Sequence, residues 1–278
     1  MTDYQHIIVD TPLESVSRIT LNRPDSRNAL NNVLRGEIYG TLEANDNNDA
    51  IRVTIIRGAG PAFCAGYDLK GNSDEDRPFH TAGGDGSWAR HVVEGAFRVW
   101  DLAKPVIAQV HGYCLAGGTE LATSCDLVYV AEDAKIGYPV VRSMSPPDNQ
   151  FFPWVVGMRN AMEMMLTGDA ISGTDAANYG FANRAFPVDE LEAEVMKVAA
   201  KIAKIPPDIE QMNKRAVHRQ MDLMGMRAAI RQGTEIQALA FHTTSTRAHF
   251  KELAGGLTDA LSKRDGKFGD YRTSGKED

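Results

Sequence analysis

Two stretches of this chain share one plan, and that repetition limits the possible folds more than any other feature. "VTIIRGAGPAFCAGYDL" (53–69) and "VIAQVHGYCLAGGTEL" (106–121) each run as a short apolar strand, a glycine turn, a loop of small residues and a helix start. They read as a repeated ββα unit. No fixed period separates them, so a solenoid is not the reading. Around them, "IIVDTPLESVSRITLNRP" carries two β-rich runs, and "CDLVYVAE" and "AKIGYP" add extended pieces. Helical spacing predicts helices near 31–49 and 88–102, and a largely helical stretch over 149–185 broken at "TGDAISG". Further helices are predicted over 188–204, 207–224, 226–242 and 244–262. The first two thirds alternate strand and helix and the last third is helical, which predicts an α/β core followed by a helical region. The polar, turn-rich segment 71–87 reads as a long loop, and the tail after 265 as frayed.

The 278 residues carry a formal charge of −7, which argues against nucleic acid as the main partner. No apolar run reaches the roughly 18 residues of a membrane span, and the first ten residues lack the basic and apolar regions of a signal peptide. Cys64, Cys114 and Cys125 form no C-x-x-C pair; they read as reduced core thiols in a cytoplasmic protein. The seven histidines make no ligand cluster, so no metal site is expected. His111 reads as a satisfied core histidine. The phosphate-loop and nucleophile-elbow motifs are absent, and "GAGPAF" lacks the third glycine of a dinucleotide fingerprint.

What remains is two small-residue loops after strands. Small side chains let backbone approach a ligand closely, and the first turn of a helix presents free N–H groups. One N–H from "CAGYDL" and one from "AGGTE" can form an oxyanion hole for the enolate of a thioester, with Glu120 beside it as acid or base. Taken singly, Glu120 is also explained by the helix dipole, and Asp68 by a helix cap.

Together with "SRITLNRPDSRNAL" and "MLTGDAISGTDAANYGFANRAFP", these loops make the chain resemble the crotonase (enoyl-CoA hydratase/isomerase) family from about residue 7 to 205. The resemblance implies a coiled ββα superhelix over 1–204. It also implies a C-terminal helical region over 205–278 that builds homotrimers, often paired into hexamers. It implies an acyl-CoA thioester as substrate, with no separate cofactor, and a lyase of fatty acid metabolism, hydratase first and isomerase second. Tyr67 and Gly117 then match the oxyanion-hole donors. Ala65, Gly66, Asp68, Leu69 and Lys70 match the CoA path, and Ser26, Arg27 and Ala29 match a loop that also meets CoA. Lys263 matches a CoA contact to a neighbouring subunit.

The chain departs from the pattern at one catalytic position. Family hydratases carry two glutamates; one matches Glu120, and the other falls on Val140, which transfers no proton. Asp148 stands where the dienoyl-CoA isomerase branch has a proton-transferring aspartate. By itself, "PPD" before "FFPWVVG" reads as a helix cap, the preferred reading of Asp148 here. Arg142 is expected either to pair with Asp148 or Glu120 or to lie on the surface. Trp88, Trp100, Phe151, Phe152 and Trp154 are candidates for an acyl pocket, with core the preferred reading. A low-turnover acyl-CoA-binding protein and a carbon–carbon bond hydrolase remain as alternatives.

Overall fold

The computed structural model describes residues 4–70, 77–269 and 271. Strands β1 (Ile7–Leu13), β2 (Val16–Leu21), β3 (Val53–Gly58), β5 (Val106–Val110), β7 (Leu127–Ala131) and β10 (Arg184–Phe186) form one sheet in the order β1-β2-β3-β5-β7-β10. Only the β1–β2 pair is antiparallel in that sheet. A second sheet orders β4 (Ala62–Cys64), β6 (Tyr113–Leu115), β8 (Lys135–Gly137) and β9 (Ile171–Ser172). Each repeat therefore places its long strand in the first sheet and, after a short turn, a three-residue strand in the second. The pairs are β3 with β4, β5 with β6, and β7 with β8.

The physical reason lies in the long strands' composition. β5, "VIAQV", is buried along its whole length, and β3 is nearly so. A strand with two covered faces suits a parallel sheet enclosed on both sides. Helix α1 (Asn32–Asp46) begins at Asn31, whose side chain accepts from the Leu34 N–H, and buries Leu34, Ile38 and Leu42. Helix α2 (Ser87–Trp100) follows the segment 77–86. No helix begins at "CAGYDL" itself: Asp68 accepts from the Lys70 N–H at 2.9 Å in a local turn and pairs with Arg23 at 2.8 Å, so the cap reading fails.

Helix α3 (Gly117–Ser124) is buried at every residue. "GGTELATS" suits this position because small side chains fit between the sheets. Its hydroxyls return bonds to its own carbonyls, as from Thr119 to Ala116 at 2.6 Å and Ser124 to Leu121 at 2.7 Å. The 149–185 stretch resolves into α4 (Phe152–Val155), α5 (Gly157–Thr167), β9, α6 (Gly173–Tyr179) and β10. Then come α7 (Val188–Ile202), α8 (Pro207–Leu223), α9 (Met226–Phe241), α10 (Thr244–Gly255) and α11 (Leu257–Asp265). Helix α9 lies on α2, where Met226 and Ile230 join Val93, Ala96, Phe97, Trp100 and Phe151 in a second apolar cluster. Trp100 and Phe151 thus belong to core, as does Phe152 in the main cluster, with Trp154 packed against the second.

The three cysteines are buried, and burial raises the Cys64 thiol to about 12, which suits inert filler. His111 is satisfied, with Nε2 2.8 Å from the Gly60 carbonyl, but it is only half-buried and not core. No helix among the described residues is long and apolar enough to cross a membrane.

Candidate active site

The two small-residue loops meet. Leu30 donates its N–H to the Gly66 carbonyl (2.8 Å) and accepts from the Asp68 N–H (3.0 Å), while Ala65 donates to the Arg27 carbonyl (2.9 Å). The segment 26–30 is thereby laced alongside 65–68. In extended backbone, successive residues direct their polar groups to opposite sides. With Gly66 and Asp68 engaged by Leu30, the Tyr67 N–H faces the other way. Gly66 has φ +114, and a methyl group there would stand 2.9 Å from the Ala116 Cβ and 3.4 Å from the Gly117 nitrogen.

Ala116, with φ 49 and ψ −122, turns the chain from β6 into α3; this is a strained setting for a non-glycine residue, of the kind held at functional sites. Gly117 is the first residue of α3, so its N–H has no intrahelical acceptor. Among the described residues, neither this N–H nor that of Tyr67 is taken up by a backbone carbonyl. Gly118 sits against β4: an added Cβ would lie 2.2 Å from the Cys64 carbonyl oxygen. Gly118→Ala is expected to cost roughly 1–3 kcal/mol, as overpacking in a closed site does. Thermal unfolding reads this, and an unchanged midpoint would contradict the packing described.

A cavity of about 400 Å³ opens beside these loops. Arg27, Ala65, Tyr67, Asp68 and Leu69 line it from one side, and Ala116, Tyr138, Val140 and Asp148 from another. The C-terminal helices and tail add Phe241, Phe250, Leu261, Arg264, Asp265 and Tyr271 to its wall. Ser26, Ala29, Gly66 and Lys70 are near this lining in sequence but are not part of it. Lys263 is exposed and pairs with Glu252.

Glu120 is 1% exposed and does not border this cavity. Its Oε2 accepts from the Tyr67 hydroxyl at 2.8 Å and its Oε1 from the Tyr138 hydroxyl at 2.9 Å. Asn149 adds its backbone N–H to Oε1 at 3.3 Å and its side-chain amide to Oε2 at 3.5 Å. Burial raises the Glu120 pKa, and these donors oppose the rise. Asp148 does border the cavity, is 5% exposed, and leaves Oδ1 without a partner among the described residues. Burial lifts its pKa far above the ordinary range, and the Glu120 charge lifts it further. The Trp88 indole N–H and the charge of Arg35 act in the opposite direction. The two environments differ: burial raises both carboxyls, but at Glu120 the hydrogen-bond donors oppose the rise, while at Asp148 the Glu120 charge adds to it.

Asp148 caps no helix. Helix α4 starts four residues later, behind Phe151, with no side-chain cap. Arg142 touches neither carboxyl. Its buried guanidinium pairs with Asp169 at 2.7 Å and Asp265 at 3.7 Å, and lies 4.0 Å from the centre of the Phe268 ring. Trp88 is a pocket residue, edge-on to Tyr67 with centroids 5.2 Å apart.

Sequence reasoning missed Tyr138, Asn149 and Arg35. Arg35 is 1% exposed, between Tyr39, Tyr67 and Trp88. A full-length arginine inside an apolar helix face was the available signal. Among the described residues, no group of three or more His, Cys, Asp or Glu side chains is placed to hold a metal.

The family model described as enoyl-CoA hydratase/isomerase matches residues 12–271. The chain belongs to the enoyl-CoA hydratase/isomerase family. It is 31% identical to the mitochondrial enoyl-CoA hydratase of Pongo abelii, over 92% of this chain and 84% of that one. A solved enoyl-CoA hydratase/isomerase from Xanthobacter autotrophicus Py2 is 34% identical, with a TM-score of 0.86 over 95% of this chain and 99% of that one. A solved enoyl-CoA hydratase from Mycobacterium smegmatis is 29% identical, with a TM-score of 0.88 over 98% and 97%. The paired sheets and buried α3 are thus the crotonase fold, as the family resemblance implies.

Proposed function

We propose that this family member is an enoyl-CoA hydratase acting through a thioester enolate. One observation carries the reading: Tyr67 and Gly117 each keep an N–H that no backbone carbonyl takes up, and Tyr67 shares the cavity wall with Asp148 while its hydroxyl holds the buried Glu120. The enoyl thioester carbonyl would accept both N–H groups, and the negative charge that develops on its oxygen would be held there. Water adds at the β-carbon and loses a proton toward Glu120. The α-carbon of the enolate takes the proton held by Asp148. Arg27 and the 65–70 segment supply the CoA path, with Ser26 and Ala29 supporting the loop. The names of the similar proteins support hydration as the first choice.

Val140 favours a second reading. It lines the cavity where a second glutamate would orient water, so a single proton-carrying carboxyl faces the substrate. Double-bond migration needs no bound water, and Asp148 and Glu120 suffice for it. Crotonyl-CoA and longer enoyl-CoAs in ¹⁸O-labelled water separate the two. Labelled 3-hydroxyacyl product is the expected result. Double-bond migration without label would make the protein an isomerase, and tight binding with no product from a broad panel would remove both readings. Apolar residues on α8 and α9, among them Met212, Val217 and Leu239, are exposed in a single chain, which supports assembly into the trimer.

A further inference from the structure

Both oxygens of Glu120 are covered by phenols. The Tyr67 hydroxyl takes Oε2 at 2.8 Å and the Tyr138 hydroxyl takes Oε1 at 2.9 Å. Both rings line the large cavity, and the carboxylate does not. Glu120 borders instead a void of about 20 Å³, shared with Arg35 and Asn149, too small for an acyl group. A substrate in the cavity therefore meets these two tyrosines before it meets the carboxylate.

From this we infer that Tyr67 and Tyr138 are catalytic residues, relaying protons between the substrate and Glu120, which itself stays out of contact. This rests on the enolate reading above. In the forward step, a proton leaves the substrate or its attacking water for a phenol oxygen as that phenol's own proton passes to a Glu120 oxygen. One O–H bond forms at tyrosine, one breaks there, and one forms at Glu120. The reverse sequence returns the proton. No phenolate accumulates, in keeping with the buried phenols, whose pKa is pushed well above the ordinary value by burial and by the Glu120 charge. A direct glutamate would need only one donor to orient it. Here each oxygen has its own phenol, so either hydroxyl is a complete route.

The test is deuterium exchange at the α-carbon of a saturated acyl-CoA in D₂O, which reads enolate formation without requiring hydration. Tyr67→Phe, Tyr138→Phe and the double variant are compared with wild type. The double variant is expected to lose about 100-fold or more in exchange, the lower range for an acid–base group, with the acyl-CoA Kd unchanged. Exchange within threefold of wild type in the double variant, with Glu120→Gln inactive, would overturn the relay and place the carboxylate on the substrate. If the double variant does not fold, 3,5-difluorotyrosine at 67 and 138 keeps ring and hydroxyl. A relay then moves the pH profile of exchange to lower pH; an unmoved profile overturns it. Exchange without hydration by wild type would remove only the hydratase reading, and no exchange at all would remove both.

Discussion

Glu120→Gln is expected to lower turnover by roughly 100- to 10,000-fold, the span of a lost acid–base group, while acyl-CoA binding holds. The fold should tolerate the change. Glutamine keeps the shape, its carbonyl oxygen accepts from one phenol, and the other hydroxyl rotates to accept from the amide. What goes is the charge. Asp148 would feel that loss, because the Glu120 charge is the second largest cause of its raised pKa. The variant should therefore move the Asp148 titration to lower pH, which carboxyl-selective NMR or infrared difference spectra would record. Near-normal turnover would remove Glu120 from the chemistry. An unmoved Asp148 titration would mean the two carboxyls do not share a field.

Asp148→Asn should also abolish turnover, by about 100-fold or more, yet leave the protein at least as stable at neutral pH. The sign follows from linkage. Asp148 binds its proton more tightly in the folded state than in the unfolded chain, where the ordinary value is 3.8. Below that value both states are protonated and the group contributes no pH dependence. As pH rises above it the unfolded chain releases the proton and the folded one retains it, so folding loses stability. Asparagine does not titrate and keeps an oxygen for the Trp88 N–H. The stability gap, variant minus wild type, should therefore grow as pH rises from about 4. Denaturant unfolding at several pH values would show it. A gap that shrinks with pH would place the proton elsewhere, and unchanged turnover would leave Asp148 a structural residue.

These two carboxyls show where sequence reading succeeds and where it stops. The repeat was legible because strand burial and glycine placement are local: "VIAQV" and "AGGTEL" show their structure within a few residues. Glu120 was legible for the same reason, by its place in the first turn of a glycine-started helix. Tyr138 was not. It lies 18 residues from Glu120 on another element, and nothing in "IGYPVV" directs its hydroxyl toward α3. Asp148 was misread as a cap because "PPD" precedes an apolar run. The chain instead stays irregular to Phe151, and the carboxyl turns inward to meet Trp88. Its raised pKa there comes from burial and then from the charge of Glu120, both properties of position in space. Arg142 was misplaced in the same way: its partner Asp265 lies 123 residues onward. The C-terminal helices were legible as helices. Which of their faces would close a cavity was not, because amphipathic spacing marks an apolar face without naming its neighbour.

The far wall of the cavity has a consequence for how this enzyme can change. Phe241, Phe250, Leu261 and Tyr271 would set the room available to the proposed acyl group, and Arg142 ties the segment that carries Asp265 to the body of the protein. The groups proposed to handle protons, Tyr67, Glu120, Tyr138 and Asp148, all come from residues 67–148. On that proposal, selection could retune the menu of acyl groups by altering a tail outside the bond-making groups. Under the proposed function, a change at Phe250 or Leu261 would trade one acyl group for another while the same acid and the same enolate hole went on working. Duplicated copies of such a gene can specialise through their last forty residues before they diverge in chemistry.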